Sequence, residues 1–586
     1  MTEHRPAANS PFIVGVSGHR SLAAEDVARL RTAITAFVQA LRRILPDTEL
    51  RTIIGMAEGA DLLVAQTALD LGLHVEAVLP MPLEQYAADF DVETLGLLKV
   101  LLRRPEVRCT ELSAPFAEHS GPHSASQRDA MYANLTQALI RRSGLLLALW
   151  DGENSELPGG TADTVLRYLG VRSEDDRAEQ ALEFVAAPVD MEWPERLVYW
   201  APAARSGVAL AIDAREPCFL TGAGGNLLHT QPAMPGRLAR QLVLLNRYNR
   251  EFTQLVADGK LIVRHSLLQG LPADCLVHGR PQLEEIDAQY GKADALAVHY
   301  QRRSDMLFLL FGVMAFTMGV AYLIYERITE SPMLLVAYMV VLLSSLALYY
   351  LLQGKHWFAK HLTYRALAET LRVKFYLRLA GADHRVDATE VLALSGIERF
   401  EGFGWMGYVL SGIEATDIRK PVGRGSAARQ AQCVEQAWIE SQHSYFAAKV
   451  SRLEKSSRRV KALRDCMFVV IVLVIVALFL FSEALNHIPT GLGLPLKGLM
   501  LFCMGFLAVL LGVWELHQDK MATRELLWQY RNQLKHFSRA RIELARTTSS
   551  ARRIDVLAEL GKDSLMESYL WAIHRFHREH EPPSGH

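Results

Sequence analysis

The sequence predicts a doubly wound α/β domain on the N-terminal side of the chain, followed by an α-helical membrane domain with four transmembrane helices in two hairpins. Two observations support this fold class. Strand, glycine-rich loop and helix recur three times before residue 170, which is the chain order of a parallel sheet with crossover helices. Four long apolar runs follow after residue 300, and each approaches the length that crosses a bilayer.

The composition limits the size and the partners of the protein. A chain of 586 residues is too long for one hydrophobic core, so three or four units are expected. The 63 Lys and Arg residues nearly balance the 64 Asp and Glu residues, so no nucleic-acid partner is expected. The six cysteines lack CxxC or metal-ligand spacing. We therefore expect no metal site, no disulfide framework and a protein that faces a reducing cytoplasm.

Short apolar runs mark the strands of the α/β domain at residues 12–16, 50–54, 75–79 and 144–150. The last run is continuously apolar, as expected for a strand that is covered on both faces. A helix is predicted over residues 25–45 because apolar residues recur on one of its faces. In such sheets ligands bind at the carboxyl ends of the strands, where the glycine-rich loops of this chain lie.

A turn with two adjacent glycines, Gly159 and Gly160, follows Pro158 and precedes a predicted helix. Adjacent glycines let the backbone come close to a ligand, and amides at the start of a helix favour an anion such as phosphate. An ordinary tight turn is the alternative interpretation. Arg20 and Arg128 are candidates for holding a phosphate with paired hydrogen bonds, and a plain surface charge is the alternative for each.

Four segments in the first 170 residues resemble one known family. The segments VGVSGHR, GMAEGADLLVAQTAL, LLLALWDG and PGGTADTV occur in this order between residues 11 and 170. They look like the SLOG superfamily, the Rossmann-like group of DNA-processing protein A, the LOG phosphoribohydrolases and the cytosolic sensor region of melastatin-type TRP channels. Family members bind nucleotides or nucleotide derivatives, so the resemblance implies a nucleotide-binding domain at residues 1–170.

The resemblance also implies a pocket whose walls come from the loops after the strands, with the glycine turn over the phosphate. We expect no cofactor, and a nucleotide-derived ligand of the ADP-ribose or cyclic-nucleotide class. We add two residues to those that the resemblance implies, namely Arg128 and Asp151, the aspartate that ends the strand at 144–150. The predicted ligand-binding residues are then Ser17, Gly18, His19, Arg20, Gly55, Glu58, Gly59, Asp61, Arg128, Asp151, Gly159, Gly160 and Thr161.

One departure from the family pattern bears on catalysis. The LOG hydrolases carry a PGGxGTxxE motif, in which the glutamate takes part in cleaving the ribosyl bond. Leu166 stands in the place of that glutamate, so the pocket lacks its expected acid/base group and we assign no catalytic residue. Ligand sensing is therefore expected. A membrane-anchored nucleotide or NAD-processing hydrolase is the alternative, because Glu58, Asp61, Asp129 or Asp163 could supply a carboxylate.

The rest of the chain divides around the apolar runs. Residues 171–288 are expected to form a cytosolic linker subdomain, and they contain loop signals such as the GAGG sequence at 222–225. Residues 289–400 would hold a first membrane hairpin with its cytosolic helices, residues 401–444 a cytosolic connector, and residues 445–586 a second hairpin with its helices.

The four apolar runs are predicted to be transmembrane helices. Residues 306–325 and 332–352 contain no charged side chain, and both have the roughly 20 residues that a spanning helix needs. The runs at 466–482 and 498–514 are shorter, so tilt or snorkelling of the flanking Lys497 must help them to span. Few polar residues lie within the spans, which argues against a pump or a proton-coupled transporter.

Cations flank the spans mainly on one side. Arg302 and Arg303 precede the first span, and Lys355 and Lys360 follow the second. The loop at 483–497 has one cation, whereas the cations before the third span are Arg452, Lys455, Arg458, Arg459, Lys461 and Arg464. The positive-inside rule then predicts a multi-pass protein of a bacterial-type inner membrane, with both termini in the cytoplasm. A lipid or nucleic-acid patch is the alternative interpretation of these cations.

The segments around the hairpins are similar to the SLATT group of two-span effector domains. The similarity lies in residues 364–372 and 567–575. This group is associated with nucleotide-sensing antiviral defence in bacteria and is thought to form pores. It implies an ion channel or pore that a nucleotide shifts toward an open state. Four spans enclose little space, so a homo-oligomer in the lipid bilayer is expected. A non-conducting scaffold is the remaining alternative.

Overall fold

The computed structural model shows two compact units that are each discontinuous in sequence. The first contains Met1–Lys292 and Thr370–Arg429, and the second contains Ala293–Glu369 and Gln430–His586. The residues that the structure describes are 9–112, 124–155, 157–172, 181–188, 191, 196–206, 216–263, 265–269, 271–272, 275, 280–397, 402–414, 424–490, 495–521 and 523–579.

The first unit is built around one nine-stranded sheet. Its strands are β1 Phe12–Gly18, β2 Leu50–Ile54, β3 His74–Leu79, β4 Val107–Glu111, β5 Leu145–Trp150, β6 Glu183–Ala186, β7 Val198–Pro202, β8 Cys218–Gly224 and β9 Leu227–Gln231. Their spatial order is β4-β3-β2-β1-β5-β7-β8-β9-β6. Neighbouring strands from β4 to β7 are parallel, whereas β8 runs antiparallel to β7 and β9.

Helices connect these strands and form the second unit. They are α1 Val27–Ile44, α2 Ala60–Asp70, α3 Leu83–Tyr86, α4 Val92–Leu102, α5 Ala125–Arg142, α6 Thr161–Tyr168, α7 Gly236–Ala257, α8 Arg280–Arg327, α9 Pro332–Gln353, α10 Trp357–Leu379, α11 Ala388–Ser395, α12 Met406–Gly412, α13 Arg424–Val434, α14 Ser441–Asn486, α15 Leu496–Met521, α16 Thr523–Arg546 and α17 Ser550–Glu579. Short 3₁₀ turns lie at Ala24–Asp26, Ala87–Asp89 and Asp383–Arg385, and a π-helical turn lies at Glu435–Glu440.

The prediction of an α/β domain with parallel strands is confirmed. All six residues of β5 are buried, as its continuous apolar sequence predicts. The sheet also continues past residue 170, because β7, β8 and β9 extend it into the stretch that the sequence analysis assigned to a linker subdomain. The GAGG sequence belongs to the β8–β9 hairpin, where Gly224 and Gly225 have φ values of 99° and 58°.

The prediction of four helices that could cross a membrane is confirmed. The runs at 306–325, 332–352, 466–482 and 498–514 lie within α8, α9, α14 and α15. The most apolar stretch of each helix is not buried against other parts of the protein. Exposed apolar surface of this length is expected of helices that contact lipid.

Two of these helices pack against each other through glycines. A side chain at Gly319 of α8 would place its Cβ 2.6 Å from Cγ1 of Val509, and one at Gly505 of α15 would place its Cβ 2.7 Å from Cδ2 of Leu323. Gly512 has no described atom within 4 Å of such a Cβ. Close approach at small residues is a common way for membrane helices to associate.

Four of the cysteines are free thiols in the part of the chain that the structure describes. Cys218 is buried, whereas Cys109, Cys466 and Cys503 are exposed.

Candidate functional site

The candidate site lies at the carboxyl ends of β1, β2 and β5. These strands are neighbours in the order β2-β1-β5, and they run in the same direction. The loops that follow them therefore leave the same edge of the sheet. Three features occupy this edge: a histidine–aspartate pair, a cluster of two arginines, and a buried carboxyl group.

His19 and Asp151 join the loops after β1 and β5. The Asp151 amide donates a hydrogen bond to Nε2 of His19 at 3.0 Å, and Nε of Arg205 donates to Oδ2 of Asp151 at 2.5 Å. Burial acts to raise the pKa of Asp151, but the His19 side chain, whose Nε2 lies 3.0 Å from Oδ1 of Asp151, and the charge of Arg205 lower the pKa overall. Because Asp151 is only 1% exposed, it holds the loops together and offers almost no surface to a ligand.

Arg20, Asp89, Arg128 and Tyr132 form a second feature, which we call the arginine cluster. Nη2 of Arg20 donates a hydrogen bond to the Tyr132 hydroxyl at 2.7 Å, and that hydroxyl donates to Asp89. Arg128 also donates to Asp89. Two guanidinium groups thus share one carboxylate, and the Arg20 side chain is 46% exposed. The arginine cluster therefore keeps an excess positive charge that an anion can reach.

Asp61 is a buried carboxyl group in the first turn of α2. Its Oδ2 accepts a hydrogen bond from the Ala57 amide at 3.1 Å. Burial raises the pKa of Asp61 to about 7, against the opposing effects of the Ala57 amide and the Arg20 charge. The Tyr86 hydroxyl donates to the Gly55 carbonyl at 3.2 Å beside it. A carboxyl group that titrates near neutral pH can either donate or accept a hydrogen bond.

Gly18 and Gly59 bring the loops after β1 and β2 into close contact. Gly59 has a φ of 79°, and a Cβ there would lie 2.1 Å from the Arg20 carbonyl oxygen. A Cβ at Gly18 would lie 2.3 Å from Cβ of Ala60. The Ala60 amide donates to the His19 carbonyl at 3.0 Å. These two glycines are thus needed for packing between the loops, whatever the ligand.

The glycine turn at the start of α6 already has protein partners. The Gly159 amide donates to Oδ2 of Asp163 at 3.0 Å, and the Gly160 amide donates to the Leu157 carbonyl at 3.0 Å. Asp163 is 3% exposed and also accepts from Nε of Arg167 at 2.8 Å. A phosphate over this turn would compete with Asp163 for the Gly159 amide.

Leu166, which replaces the glutamate of the resembled hydrolases, lies in the hydrophobic core. It is 2% exposed and belongs to a cluster with Trp150, Val165 and Trp200. A glutamate at this position would be buried among apolar side chains, which disfavours its charged form by several kcal/mol. Position 166 of this chain therefore serves packing rather than acid/base chemistry.

The remaining predicted residues occupy different environments. Ser17 is buried at the end of β1, Glu58 and Thr161 are half-buried, and Asp129 is exposed to solvent. Of the carboxylates that we considered for catalysis, Asp163 is engaged in the glycine turn. Asp61 lies at the candidate site, where burial raises its pKa.

Sequence reasoning missed Tyr86, Asp89, Tyr132 and Arg205. Tyr132 lies four residues after Arg128 on α5, and side chains with this spacing share one face of a helix. That spacing could have indicated Tyr132. Asp89 and Arg205 follow no glycine motif, and only the fold brings them to the site.

Helix α5 connects the arginine cluster to residues 412–414, which lie between α9 and α14 in sequence. Its first half carries Arg128 and Tyr132, and its last two residues are both arginines. Arg141 donates to Oε1 of Glu414 at 2.8 Å. Arg142 donates to the carbonyl oxygens of residues 412 and 414 at 2.7 and 2.8 Å. The same helix therefore contacts the candidate site at one end and residues 412–414 at the other.

Glu414 is the centre of a buried ionic network at this contact. It accepts a hydrogen bond from Lys374 of α10, and the Lys374 and Glu414 side chains are 5% and 6% exposed. Burial acts to raise the pKa of Glu414, but the charges of Lys374, Arg141 and Arg378 lower it to about 2. The network fixes this part of the segment Thr370–Arg429 to α5 within the first unit.

The comparisons with known proteins add no relative. No protein-family model matches this chain, and no curated protein matches it. The similarity to the SLOG and SLATT groups therefore stays a prediction from the motifs. Among the residues that the structure describes, no group of three or more His, Cys, Asp or Glu side chains is placed to hold a metal ion.

Proposed function

We propose that the protein is a nucleotide-sensing membrane effector, a pore or channel that opens when a small nucleotide binds to its α/β unit. The first unit would act as a Rossmann-like, SLOG-type sensor, and the hairpins as a SLATT-type effector that assembles from several copies in a bacterial inner membrane. The ligand would be an anion of the ADP-ribose or cyclic-nucleotide class, with Arg20 on its phosphate and Asp61 on a polar group.

The observation that supports this proposal best is that α5 contacts different parts of the protein at its two ends. One end of the helix carries the arginine cluster, and the other end is bonded to residues 412–414, which lie between the two hairpins in sequence. A phosphate that draws Arg20 away from Tyr132 changes the contacts of α5 directly. Ligand binding at the site then alters the contacts of the segment between the hairpins, and a gating mechanism requires such coupling.

Calorimetry tests the sensing half of the proposal. The full chain in detergent is titrated with ADP-ribose, NAD, ATP and a set of cyclic nucleotides. Arg20→Gln should weaken binding of the active compound about 10- to 100-fold, because a hydrogen bond to a charged group contributes about 1.5–3 kcal/mol. Arg31→Gln is the matched control, since Arg31 pairs with Asp70 on the exposed surface. A protein that binds none of these compounds contradicts the sensing role.

Liposome flux tests the gating half. The full chain is reconstituted into dye-loaded vesicles, and ion flux is measured with and without the nucleotide that calorimetry identifies. Flux should rise with the nucleotide and stay at background without it. A protein that binds the nucleotide but never conducts ions is a scaffold or an anchored enzyme instead. If it is a scaffold, the Gly160→Glu variant should behave like the wild type.

One observation favours the hydrolase as the second candidate. Asp61 has a pKa of about 7, which suits an acid/base group near neutral pH. Release of the base or of ADP-ribose from NAD, followed by chromatography, distinguishes the two functions. If the wild type releases product and Asp61→Asn does not, the protein is an enzyme. If nucleotide binds and remains intact, sensing is favoured.

A further inference from the structure

The helix that contains the third apolar span also carries a stripe of exposed cations. The stripe consists of Arg452, Lys455, Arg458, Arg459 and Lys461, all exposed to solvent. α14 is helical throughout residues 441–480, so the stripe continues directly into the span at residue 466. Its distance from the bilayer is therefore fixed by helix geometry.

Nearby acidic side chains do not neutralise this stripe. Glu454 pairs with Arg531 at 2.6 Å, and Asp465 pairs with Arg464 at 3.2 Å. Within the described parts of the chain, none of the five stripe residues forms an ion pair with a carboxylate. The stripe thus presents free positive charge.

Helix geometry places part of this charge at the lipid headgroups. With a rise of about 1.5 Å per residue, Lys461 lies about 7 Å from the start of the span, and Arg458 and Arg459 lie about 11 Å from it. The headgroup layer is roughly 5–7 Å thick on each side of the hydrocarbon. The Debye length in physiological salt is about 8 Å, so all three cations lie within one Debye length of the headgroup layer and attract it.

We propose that the α14 stripe is a binding surface for the headgroups of anionic phospholipids. The positive-inside rule accounts for the side on which the stripe lies, but it does not require selection of one lipid over another. Nucleic acid is the other polyanion that such a stripe could attract. It would have to lie within about 11 Å of the hydrocarbon, where anionic headgroups repel it. The inference is independent of the nucleotide site.

The test measures lipid selectivity of the full chain in vesicles of phosphatidylcholine with a minority of phosphatidylglycerol. Trace spin-labelled phosphatidylglycerol and phosphatidylcholine report the fraction of each lipid at the protein surface. The wild type should prefer phosphatidylglycerol about fivefold or more, since one cation near the surface contributes about 1 kcal/mol. Raising the salt to about 1 M shortens the Debye length to about 3 Å and should remove most of this preference without any mutation.

Three variants complete the test. Replacement of Arg458, Arg459 and Lys461 by Gln should reduce the preference to near one, whereas replacement of the same two arginines by Lys should keep it. The control replaces three cations remote from the spans in sequence by Gln, namely Arg43, Lys99 and Arg103, which are also exposed. The proposal is overturned by a wild type without preference, by equal preference in wild type and Gln variant, or by equal loss in the control.

Discussion

Asp61→Asn should stabilise the first unit in a way that depends on pH. Asparagine keeps an oxygen that can accept the hydrogen bond from the Ala57 amide, which the carboxylate accepts at 3.1 Å. It cannot ionise. Because burial raises the pKa of Asp61 to about 7, the folded protein favours the protonated form of the wild-type side chain. Ionisation of that side chain therefore works against folding, and asparagine removes this effect.

The magnitude follows from the difference between the folded and unfolded pKa values. The pKa is about 7 in the folded state against a reference of 3.8, and each unit corresponds to about 1.36 kcal/mol. The stabilising contribution of protonated Asp61 is complete below about pH 4 and is lost as the pH rises through 7. Above pH 7 the variant should thus be more stable by up to about 4 kcal/mol, and at pH 4 the two proteins should be equal.

Hydrogen exchange on the full chain measures this effect, because a protein of two units need not unfold in one step. The free energy of opening of α2 should fall with rising pH in the wild type and stay nearly constant in Asp61→Asn. Asp70→Asn is the control at the exposed end of the same helix. The reasoning is refuted if the wild type shows no fall between pH 4 and 8, or if the control changes as much as the variant.

Predictions for three further variants concern other parts of the molecule. Glu414→Gln should destabilise the contact between α5 and α12 by about 3 kcal/mol, since the pKa of Glu414 is about 2 against a reference of 4.5. In the wild type the stabilisation by ionised Glu414 is lost as the pH falls from 4.5 through 2. Hydrogen exchange of α12 measures both effects. The same variant should keep nucleotide binding but lose nucleotide-dependent flux. Gly159→Ala should weaken nucleotide binding and expose the turn to protease, because its φ is 75° and its Cβ would lie 2.7 Å from another side chain. Gly319→Leu should lower the melting temperature in detergent, since its Cβ would lie 2.6 Å from Val509, whereas Gly512→Leu should not.

The parts of the fold that the sequence predicted are those with a strong local pattern. The run at 50–54 coincides with β2, and the run at 144–150 nearly coincides with β5. The four spans lie within four helices for the same reason, because length and apolarity decide such segments. β7, β8 and β9 were missed although they are as long as the predicted strands, because strand pairing depends on partners that the sequence does not reveal.

The candidate site was predictable mainly where glycines mark the loops, and Arg128 on α5 is the exception. Gly18 and Gly59 were found in this way, although the structure gives them a packing role. Asp89 and Tyr132 were not found, since their contacts with Arg20 arise from elements that are far apart in sequence. Long-range charge pairs such as Arg141 with Glu414 have no sequence signal of their own.

The discontinuous first unit constrains how the protein can be made. Glu414 and Lys374, which hold the end of α5, are synthesised only after the spans at 306–325 and 332–352. During translation the sheet can begin to form early, but the last two residues of α5 lack these partners until α8 and α9 have been synthesised. Completion of the α/β unit would then require that both helices have been made. A fragment that ends before residue 370 should consequently leave Arg141 and Arg142 without these acceptors and should be an unsuitable substitute for the first unit.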